Sequence, residues 1–282
     1  MTNATPALKI WQSRLRQRPL AALSVVVLLT VILAALTAPL LTPYDPNQMD
    51  LNAILVPPSS AHWLGTDELG RDIFSRIVHG ARPSLLAGFG IVLIGSLFGI
   101  LIGCLSGLLG GWVDNIIMRF IDVMMALPGL VVALALTAAL GPSLFNAVLA
   151  LGVLSIPAYT RVARGQTLSI REREYVLTAR TLGAGTWHLV WRHVLPNVLP
   201  PVVIYMTFHL GSAILASSAL SFIGLGMQPP DPEWGAIIGS GREYILAHWW
   251  YSTFPGLAII ITATSINLLG DALRDWIDPK QR

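Results

Sequence analysis

Charged side chains are so rare in this sequence that their few clusters indicate where recognition or chemistry can take place. Of the 282 residues, 54% are hydrophobic and only 12% are charged. The longest charge-rich stretch, residues 171–196, reads REREYVLTARTLGAGTWHLVWRHVLP. A charge at the centre of a membrane helix costs roughly 2.5 to 3.5 kcal/mol on insertion scales. We therefore expect residues 171–196 to lie in water and to face a partner.

Catalytic and metal-ligating residue types do not occur at the spacings that known sites require. The sequence has no Walker-type phosphate loop, no HExxH motif and no GxSxG motif. Its histidines are scattered, and its single cysteine, Cys104, lies in an apolar run, which excludes an intrachain disulfide. A net charge of +3 without a nucleic-acid-binding motif gives no reason to expect DNA or RNA as a partner. We predict a non-catalytic chain with no cofactor or metal of its own.

Two pairs of opposite charges lie at helical spacing. Asp72 and Arg76 are four residues apart, and Arg119 and Asp122 are three residues apart. Residues at these spacings are neighbours on a helix surface. We expect Asp72 and Arg76 to pair on a helix that lies along the membrane surface. We expect Arg119 and Asp122 to form a structural pair near the interface rather than a proton relay.

The spacing of apolar residues within residues 171–196 predicts two short amphipathic helices. Their apolar positions recur at helical intervals: Tyr175, Val176, Ala179 and Leu182 in the first helix, and Trp187, Val190, Trp191 and Val194 in the second. Gly183 and Gly185 allow the chain to turn between them, because glycine tolerates positive φ. With Thr186 as the N-cap and Pro196 ending the second helix, we expect a compact helical elbow.

Charge-free runs of membrane-spanning length predict an all-α membrane protein with six transmembrane helices. About 20 apolar residues cross a bilayer, and the mean hydropathy of the chain is +0.65. The predicted spans are residues 19–41, 84–109, 117–140, 143–163, 201–225 and 252–271. The first is too long for a signal-peptide core, so we expect it to remain uncleaved. The other five make up a core domain, residues 83–272.

The charge balance of the connecting segments predicts which side of the membrane each occupies. Residues 161–192 carry six arginines and two glutamates, a balance of +4, whereas residues 42–82 carry three arginines and five acids, a balance of −2. The predicted cytoplasmic segments are 1–18, 164–199 and 273–282, and the predicted external loops are 42–82 and 226–251. We therefore expect both termini in the cytoplasm and an amphipathic helix, Thr66 to Gly80, along the external surface.

Glycines in the second predicted span are spaced by four residues: Gly95, Gly99, Gly103, Gly107 and Gly111. At this spacing they share one helix face and leave no side chains in the way of a neighbouring helix. We predict a close helix contact along this face.

Several sequence blocks resemble a known family, and together they cover essentially the whole chain. The blocks are HWLGTD (62–67), LGRDIFSR (69–76), DNIIMR (114–119), PDPEWG (230–235), NLLGD (267–271) and LRD (273–275). On these blocks the chain resembles the inner-membrane permease subunits of binding-protein-dependent ABC importers, in the dipeptide, oligopeptide and nickel branch. The resemblance implies a type I ABC importer permease fold.

The resemblance also implies that the elbow is the coupling helix, which docks in a groove of an ATPase subunit. The family signature there is Glu-Ala-Ala, a glycine four residues after the last alanine, and then Leu-Pro. This chain has Leu177-Thr178-Ala179, Gly183 and Leu195-Pro196, so the acid is missing from its usual place. Glu174, one turn earlier, is a hypothetical substitute. The docking residues implied are Glu174, Ala179, Arg180, Thr181, Leu182, Gly183, Ala184, Gly185, Trp187, Trp191 and Pro196.

Such a subunit works with partners in the bacterial cytoplasmic membrane. The resemblance implies a second homologous permease subunit, two ABC ATPase subunits that bind ATP and Mg, and an external substrate-binding protein. It implies import of dipeptides or short peptides, among them D-alanyl-D-alanine or glutathione, ahead of nickel.

Two other functions remain open at this point. A self-contained secondary transporter or channel would need ion-coupling residues within its spans. The apolar runs offer only polar neutral groups: Asn146, Ser155, Tyr159 and Asn267. A membrane scaffold without a transport role is the third hypothesis.

Overall fold

The computed structural model describes residues 19–277, so the predicted segment 1–18 and residues 278–282 of the predicted tail lie outside it. The α-helices, in chain order, are α1 (Pro19–Leu36), α2 (Ala38–Leu41), α3 (Ile73–Leu109), α4 (Gly111–Ala126), α5 (Gly129–Leu140), α6 (Leu144–Arg171), α7 (Glu174–Thr181), α8 (Thr186–Leu189), α9 (Leu195–Phe222), α10 (Trp234–Gly241) and α11 (Trp250–Ile277). A π-helix (Val190–Val194) joins α8 to α9, and a 3₁₀ helix (Arg242–Tyr244) follows α10. The all-α prediction is confirmed.

Within residues 19–277, five helical segments are long and apolar enough to cross a membrane: Pro19–Leu36, Ile73–Leu109, Leu144–Arg171, Thr186–Phe222 and Trp250–Asp275. A sixth span results if α4 and α5, which are bent by 86° relative to each other, are counted as one. The six predicted spans thus correspond to five helical segments and one bent pair.

The bend between α4 and α5 lies inside the predicted span 117–140. Leu127 and Pro128 separate the two helices, and both have extended backbone, with ψ of 140° and 110°. Proline lacks the N–H that a helix needs and disfavours the helical conformation of the residue before it. This span is therefore two helices rather than the single helix predicted.

α3 begins earlier than predicted and continues through Pro83. The helix has 37 residues, which makes it about 55 Å long at 1.5 Å per residue. The prediction of a separate helix from Thr66 to Gly80 is wrong, because the chain before Ile73 forms a turn closed by a bridge between Thr66 and Asp72. α3 continues through Pro83, and hydrogen bonds hold the helix on both sides of the proline. Before it, Trp234 Nε1 donates to the Ile77 carbonyl at 2.9 Å, and after it, the Ser84 hydroxyl donates to Glu233 at 2.9 Å.

Asp72 serves as the N-cap of α3 instead of pairing with Arg76. Its carboxylate accepts hydrogen bonds from the Ser75 N–H and hydroxyl, both at 2.8 Å, and lies 3.0 Å from His62 Nδ1. An acid at a helix N-terminus satisfies otherwise unpaired N–H groups. The predicted Asp72–Arg76 ion pair is therefore wrong.

The most extensive helix contact among the described residues joins α3 to α6 along the glycine face. Four of the predicted glycines face α6: Gly95, Gly99, Gly103 and Gly107. A Cβ placed on any of these four would lie between 2.4 and 2.8 Å from an atom of α6. Gly111 does not take part: it starts α4 with φ +57°, and nothing lies within 4 Å of its Cβ position.

The remaining long helices pack around this pair. α9 contacts α3, α6 and α11, while α1 contacts α11 and α3. Gly211 of α9 lies so close to α11 that a Cβ there would be 2.9 Å from Asn267 Oδ1 and 3.1 Å from the Ala263 carbonyl oxygen. Asn267, a polar residue in an apolar run, thus lies in a helix contact.

The glycine contact makes a testable prediction for Gly103→Ala. The added methyl group would meet the Thr160 carbonyl oxygen at 2.5 Å and Ala163 Cβ at 2.7 Å. Overpacking of this kind costs about 1 to 3 kcal/mol. We expect a lower midpoint temperature in thermal unfolding of the detergent-solubilised protein.

Gly165→Ala is the matched control, because Gly165 lies on α6 with nothing within 4 Å of its Cβ position. This variant should be as stable as the wild type or slightly more stable, since alanine favours helix. Equal midpoints for Gly103→Ala and wild type would contradict the close contact.

Candidate functional site

The elbow segment, residues 171–196, is attached directly to the bundle. Only Glu172 and Arg173 separate the end of α6 from the start of α7. The Arg173 N–H donates to the Ile170 carbonyl at 3.0 Å, which keeps this junction tight. The connection between α6 and α7 is therefore short and held by a hydrogen bond.

α7 ends in a Schellman motif centred on Gly183. The Ala184 N–H donates to the Ala179 carbonyl and the Gly183 N–H donates to the Arg180 carbonyl, both at 3.0 Å. Gly183 has φ +85°, in the left-handed region that favours glycine. The motif sets the angle between α7 and α8, so the elbow depends on this residue.

The elbow buries one face against its own chain and exposes the other. The buried residues pack into the main core cluster: Val176, Leu189, Val190 and Val194. The large exposed residues include Tyr175, Leu182, Trp187 and Trp191, with exposed fractions of 40%, 82%, 60% and 57%. The prediction that each set of apolar residues forms one face is therefore wrong. Tyr175 is exposed whereas Val176 is buried, because successive positions on a helix differ in direction by about 100°.

The second helix of the elbow does not end at Pro196. Helical structure continues from Thr186 to Phe222, through a π-turn in which the Leu195 N–H donates to the Val190 carbonyl. Pro196 lies in the first turn of α9, directly after the π-turn, and the helical segment continues through it despite its missing N–H. The predicted stop at Pro196 is wrong, and so is the predicted N-cap, because Thr186 is already helical and Gly185 holds the cap position.

The residues implied in docking lie on one exposed segment. Ala179 and Ala184 are half-buried, and the others in that set are exposed. Two shallow grooves cross this surface. One, of about 420 Å³, is lined by Ala179, Leu182, Gly183, Ala184, Gly185 and His188. The other, of about 510 Å³, is lined by Trp187, His188, Trp191 and Arg192.

A network of charges beside the elbow was not predicted from the sequence. Asp114, near the start of α4, accepts two hydrogen bonds from Arg164 of α6, both at 2.6 Å. The Ser106 hydroxyl of α3 donates to the same carboxylate at 2.5 Å. Seven residues beyond Arg164, Arg171 donates to the Gly107 carbonyl at 2.9 Å. The carboxylate thus joins α3, α4 and α6.

The predicted pair of Arg119 with Asp122 is wrong. Asp122 Oδ1 instead lies 2.5 Å from Nη2 of Arg161 on α6. Spacing along one helix could not reveal this partner, since it lies on another helix 39 residues away.

A second set of buried charges lies at the opposite end of α3. Asp67 is fully buried and accepts hydrogen bonds from the Arg71 N–H at 2.9 Å and from Arg71 Nε at 2.6 Å. Arg76 Nε lies 3.5 Å from Asp67, and Arg76 Nη1 donates to the Pro46 carbonyl at 2.9 Å. The loop before α3 is therefore held against the helix by paired charges.

At the same end, Glu233 accepts hydrogen bonds from three helices: α3, α9 and α10. It is fully buried, caps α10 by accepting from the Ala236 N–H at 2.9 Å, and accepts from the Ser84 hydroxyl of α3 at 2.9 Å. The Ser218 hydroxyl of α9 donates to it at 3.3 Å. The sequence blocks around Asp67 and Glu233 therefore belong to one assembly at this end.

Polar aromatic side chains lie between α6 and α9. The Tyr159 hydroxyl lies 3.0 Å from His209 Nδ1, and the ring of Tyr205 packs edge-on against Tyr159. No group of three or more His, Cys, Asp or Glu residues that could hold a metal ion occurs in the described part of the chain.

Comparison with known families matches most of the chain. Residues 95–282 match the family of binding-protein-dependent transport system inner membrane components. Residues 5–58 match the N-terminal TM domain of oligopeptide transport permease C.

Curated relatives cover nearly the whole chain. The probable D,D-dipeptide transport system permease protein DdpC of Escherichia coli strain K12 is 50% identical over 279 residues, or 99% of this chain and 93% of that protein. The di/tripeptide transport system permease protein DppC of Pseudomonas aeruginosa is 44% identical over 282 residues, covering 98% and 93%. The glutathione transport system permease protein GsiD of Pectobacterium atrosepticum is 44% identical over 277 residues, covering 98% and 92%.

A solved structure shares the fold. An inward-facing form of the MetNI methionine ABC transporter superposes with a TM-score of 0.60 at 18% identity, covering 73% of this chain and 98% of that chain. The predicted type I importer permease fold and the predicted family are both confirmed. The chain belongs to the family of binding-protein-dependent transport system inner membrane components.

Proposed function

We propose that this chain is the membrane-spanning subunit of an ATP-driven importer of dipeptides or short peptides, and that an ATPase subunit docks on its elbow. The observation that carries the proposal is the exposed aromatic surface of the elbow, with Trp187 and Trp191 each more than half exposed. Tryptophan side chains of this kind are typical anchors of protein interfaces.

The shape and charge of the elbow support an ATPase as its partner. Its two shallow grooves are lined by small residues and aromatic rings. Arg180 and Arg192 add positive charge beside them, and both are exposed. A rigid turn at Gly183 that presents exposed side chains at a fixed angle suits a groove-bound element.

The mechanism follows from how the elbow is attached. Movement of the docked elbow is applied to the end of α6, which is packed against the glycine face of α3. Closely packed helices move as rigid bodies between discrete arrangements rather than deforming continuously. ATP hydrolysis by the partner subunits then biases an equilibrium between inward-open and outward-open bundles. ATP and Mg are bound by those partners, and this chain supplies no catalytic step.

The orientation of the chain follows from its charges. The elbow is rich in arginine, so the positive-inside rule places it in the cytoplasm, together with both termini. The end that holds Asp67 and Glu233 then faces outward, where a substrate-binding protein would deliver its ligand. A second homologous permease subunit completes the pathway in the bacterial cytoplasmic membrane.

Peptides are the substrate class that the relatives support. Named relatives transport D,D-dipeptides, di- and tripeptides or glutathione. Nickel import is not favoured, since none of the relatives named above is a nickel permease.

Replacing Trp187 and Trp191 by alanine should abolish docking. We expect at least about a tenfold loss of co-purifying ATPase subunit, equivalent to roughly 1.4 kcal/mol or more of binding free energy. The measurement is the ratio of ATPase to permease after affinity purification. Trp63→Ala is the matched control, because Trp63 is also 60% exposed but lies at the opposite end of the bundle. Intact binding by the double variant would refute the docking surface.

Glu174→Gln tests whether this residue replaces the acid that the family signature places at Leu177. Glu174 is exposed in the first turn of α7. If its charge anchors the ATPase, the variant should lower ATP hydrolysis stimulated by the loaded binding protein several-fold. Glu172→Gln removes an exposed acid two residues earlier, which lies 3.6 Å from Arg171 Nη2, and should lower this rate less than Glu174→Gln does. Equal rates for Glu174→Gln and the wild type would count against the hypothesis.

Uptake into proteoliposomes separates the candidate functions. The complete complex should accumulate radiolabelled D-alanyl-D-alanine in the presence of ATP and the binding protein, and should not accumulate ⁶³Ni²⁺. Uptake by this chain alone, driven by an ion gradient without ATP, would instead support a secondary transporter.

A further inference from the structure

Two arginines on one face of α6 form hydrogen bonds to the turn that joins α3 to α4. Arg164 binds Asp114 through both of its carboxylate oxygens, and Arg171, seven residues or two helical turns later, binds the Gly107 carbonyl. Both contacts fall on the short stretch between Ser106 and Asp114, which contains the end of α3 and the first turn of α4.

The two contacts are of the kinds that hold helices together. Asp114 is 8% exposed, and its carboxylate accepts three hydrogen bonds in all from Arg164 and Ser106. Bidentate arginine–carboxylate pairs fix both distance and orientation. The Gly107 carbonyl is in the last turn of α3, where carbonyl groups lack helical partners and the helix dipole favours a cation.

A nearby ion pair on the same two helices is more exposed to water than the pair of Arg164 with Asp114. Arg161 and Asp122 also join α6 to α4, but their side chains are 45% and 52% exposed. Exposed ion pairs of this kind contribute little because water screens them. The pair has no third partner on α3 among the described contacts.

The position of Arg171 connects this network to the elbow. Arg171 is the last residue of α6, and α7 starts three residues later at Glu174. A displacement of the elbow therefore acts first on Arg171 and, through it, on the end of α3. This hydrogen bond gives the junction between α6 and α7 a direct polar link to the end of α3, in addition to the apolar packing of the elbow against the core.

We propose that Ser106, Asp114, Arg164 and Arg171 form an elbow-end clamp that transmits the movement of the docked ATPase to α3, α4 and α6 as one body. The four are positioning residues, since none is placed in contact with substrate. This inference rests on the proposed function, because it takes the elbow to be the site where the ATPase acts. The clamp determines how much peptide is moved for each ATP hydrolysed.

The test uses the complete complex in proteoliposomes, with D-alanyl-D-alanine as the probe, and measures peptides imported per ATP hydrolysed. Asp114→Asn and Arg171→Gln should lower this ratio by at least about fivefold, the lower end of typical coupling between sites. Asp122→Asn, the same chemical change on the same helix, should leave the ratio unchanged. Arg171→Lys keeps a charged donor for the Gly107 carbonyl and should restore it.

The ratio separates coupling from folding, because both of its quantities come from the same assembled complexes. If Asp114→Asn does not assemble, Arg171→Gln decides, since Arg171 lies at a helix end and its side chain is 31% exposed. Wild-type ratios for Arg171→Gln would overturn the clamp and leave the proposed function standing. A wild-type complex without ATP-driven uptake would overturn both.

Discussion

The close contact between α3 and α6 is the constraint on which the rest of the structure depends. Gly95, Gly99, Gly103 and Gly107 let the two helices approach until their backbones and short side chains touch. In a bilayer, lipid tails are as apolar as leucine, so helices gain little from hiding apolar surface and associate through close van der Waals packing instead. A contact without intervening side chains therefore makes these two helices a rigid unit around which α9, α11 and α1 pack.

Polar interactions are concentrated at the two ends of that unit. Asp114 and its partners lie beside the elbow, while Asp67 and Glu233 are buried at the opposite end. Each of these acids accepts several hydrogen bonds, which is the condition under which a buried charge is tolerated. Between the two ends, Tyr159 and His209 form a polar contact between α6 and α9. The ends thus fix the arrangement of the loops, and the apolar middle is free to face lipid or a neighbouring subunit.

The elbow combines a rigid turn with an exposed aromatic surface. Gly183 sets the angle of the turn, and the residues buried beneath it, such as Val176 and Val190, hold the elbow against the core. The outward face keeps Trp187 and Trp191 in solvent. Under the proposed function, the absence of an acid at Leu177 leaves aromatic and basic side chains as the main contacts for the ATPase subunit. The short connection to α6 is what would convert docking into helix movement under the proposed function.

What the sequence determined by itself was local and periodic. Apolar runs of bilayer length predicted an all-α membrane protein with its spans, and the four-residue spacing of glycines predicted a close helix contact, because both signals depend only on neighbours along the chain. The sequence blocks were specific enough to indicate the family. Pro128, followed by Gly129, was a readable signal for the broken span that the span prediction did not use.

Only the tertiary structure decided which residues act together. Charge pairing was predicted within helices, but Asp114, Asp122 and Asp72 pair with groups on other helices or cap a helix end. Prolines likewise depend on context: Pro83 and Pro196 lie within continuous helical segments despite the missing N–H. The physical reason is the same in both cases. A side chain's partner is set by distance in space, and helix packing brings together residues that spacing along the sequence keeps far apart.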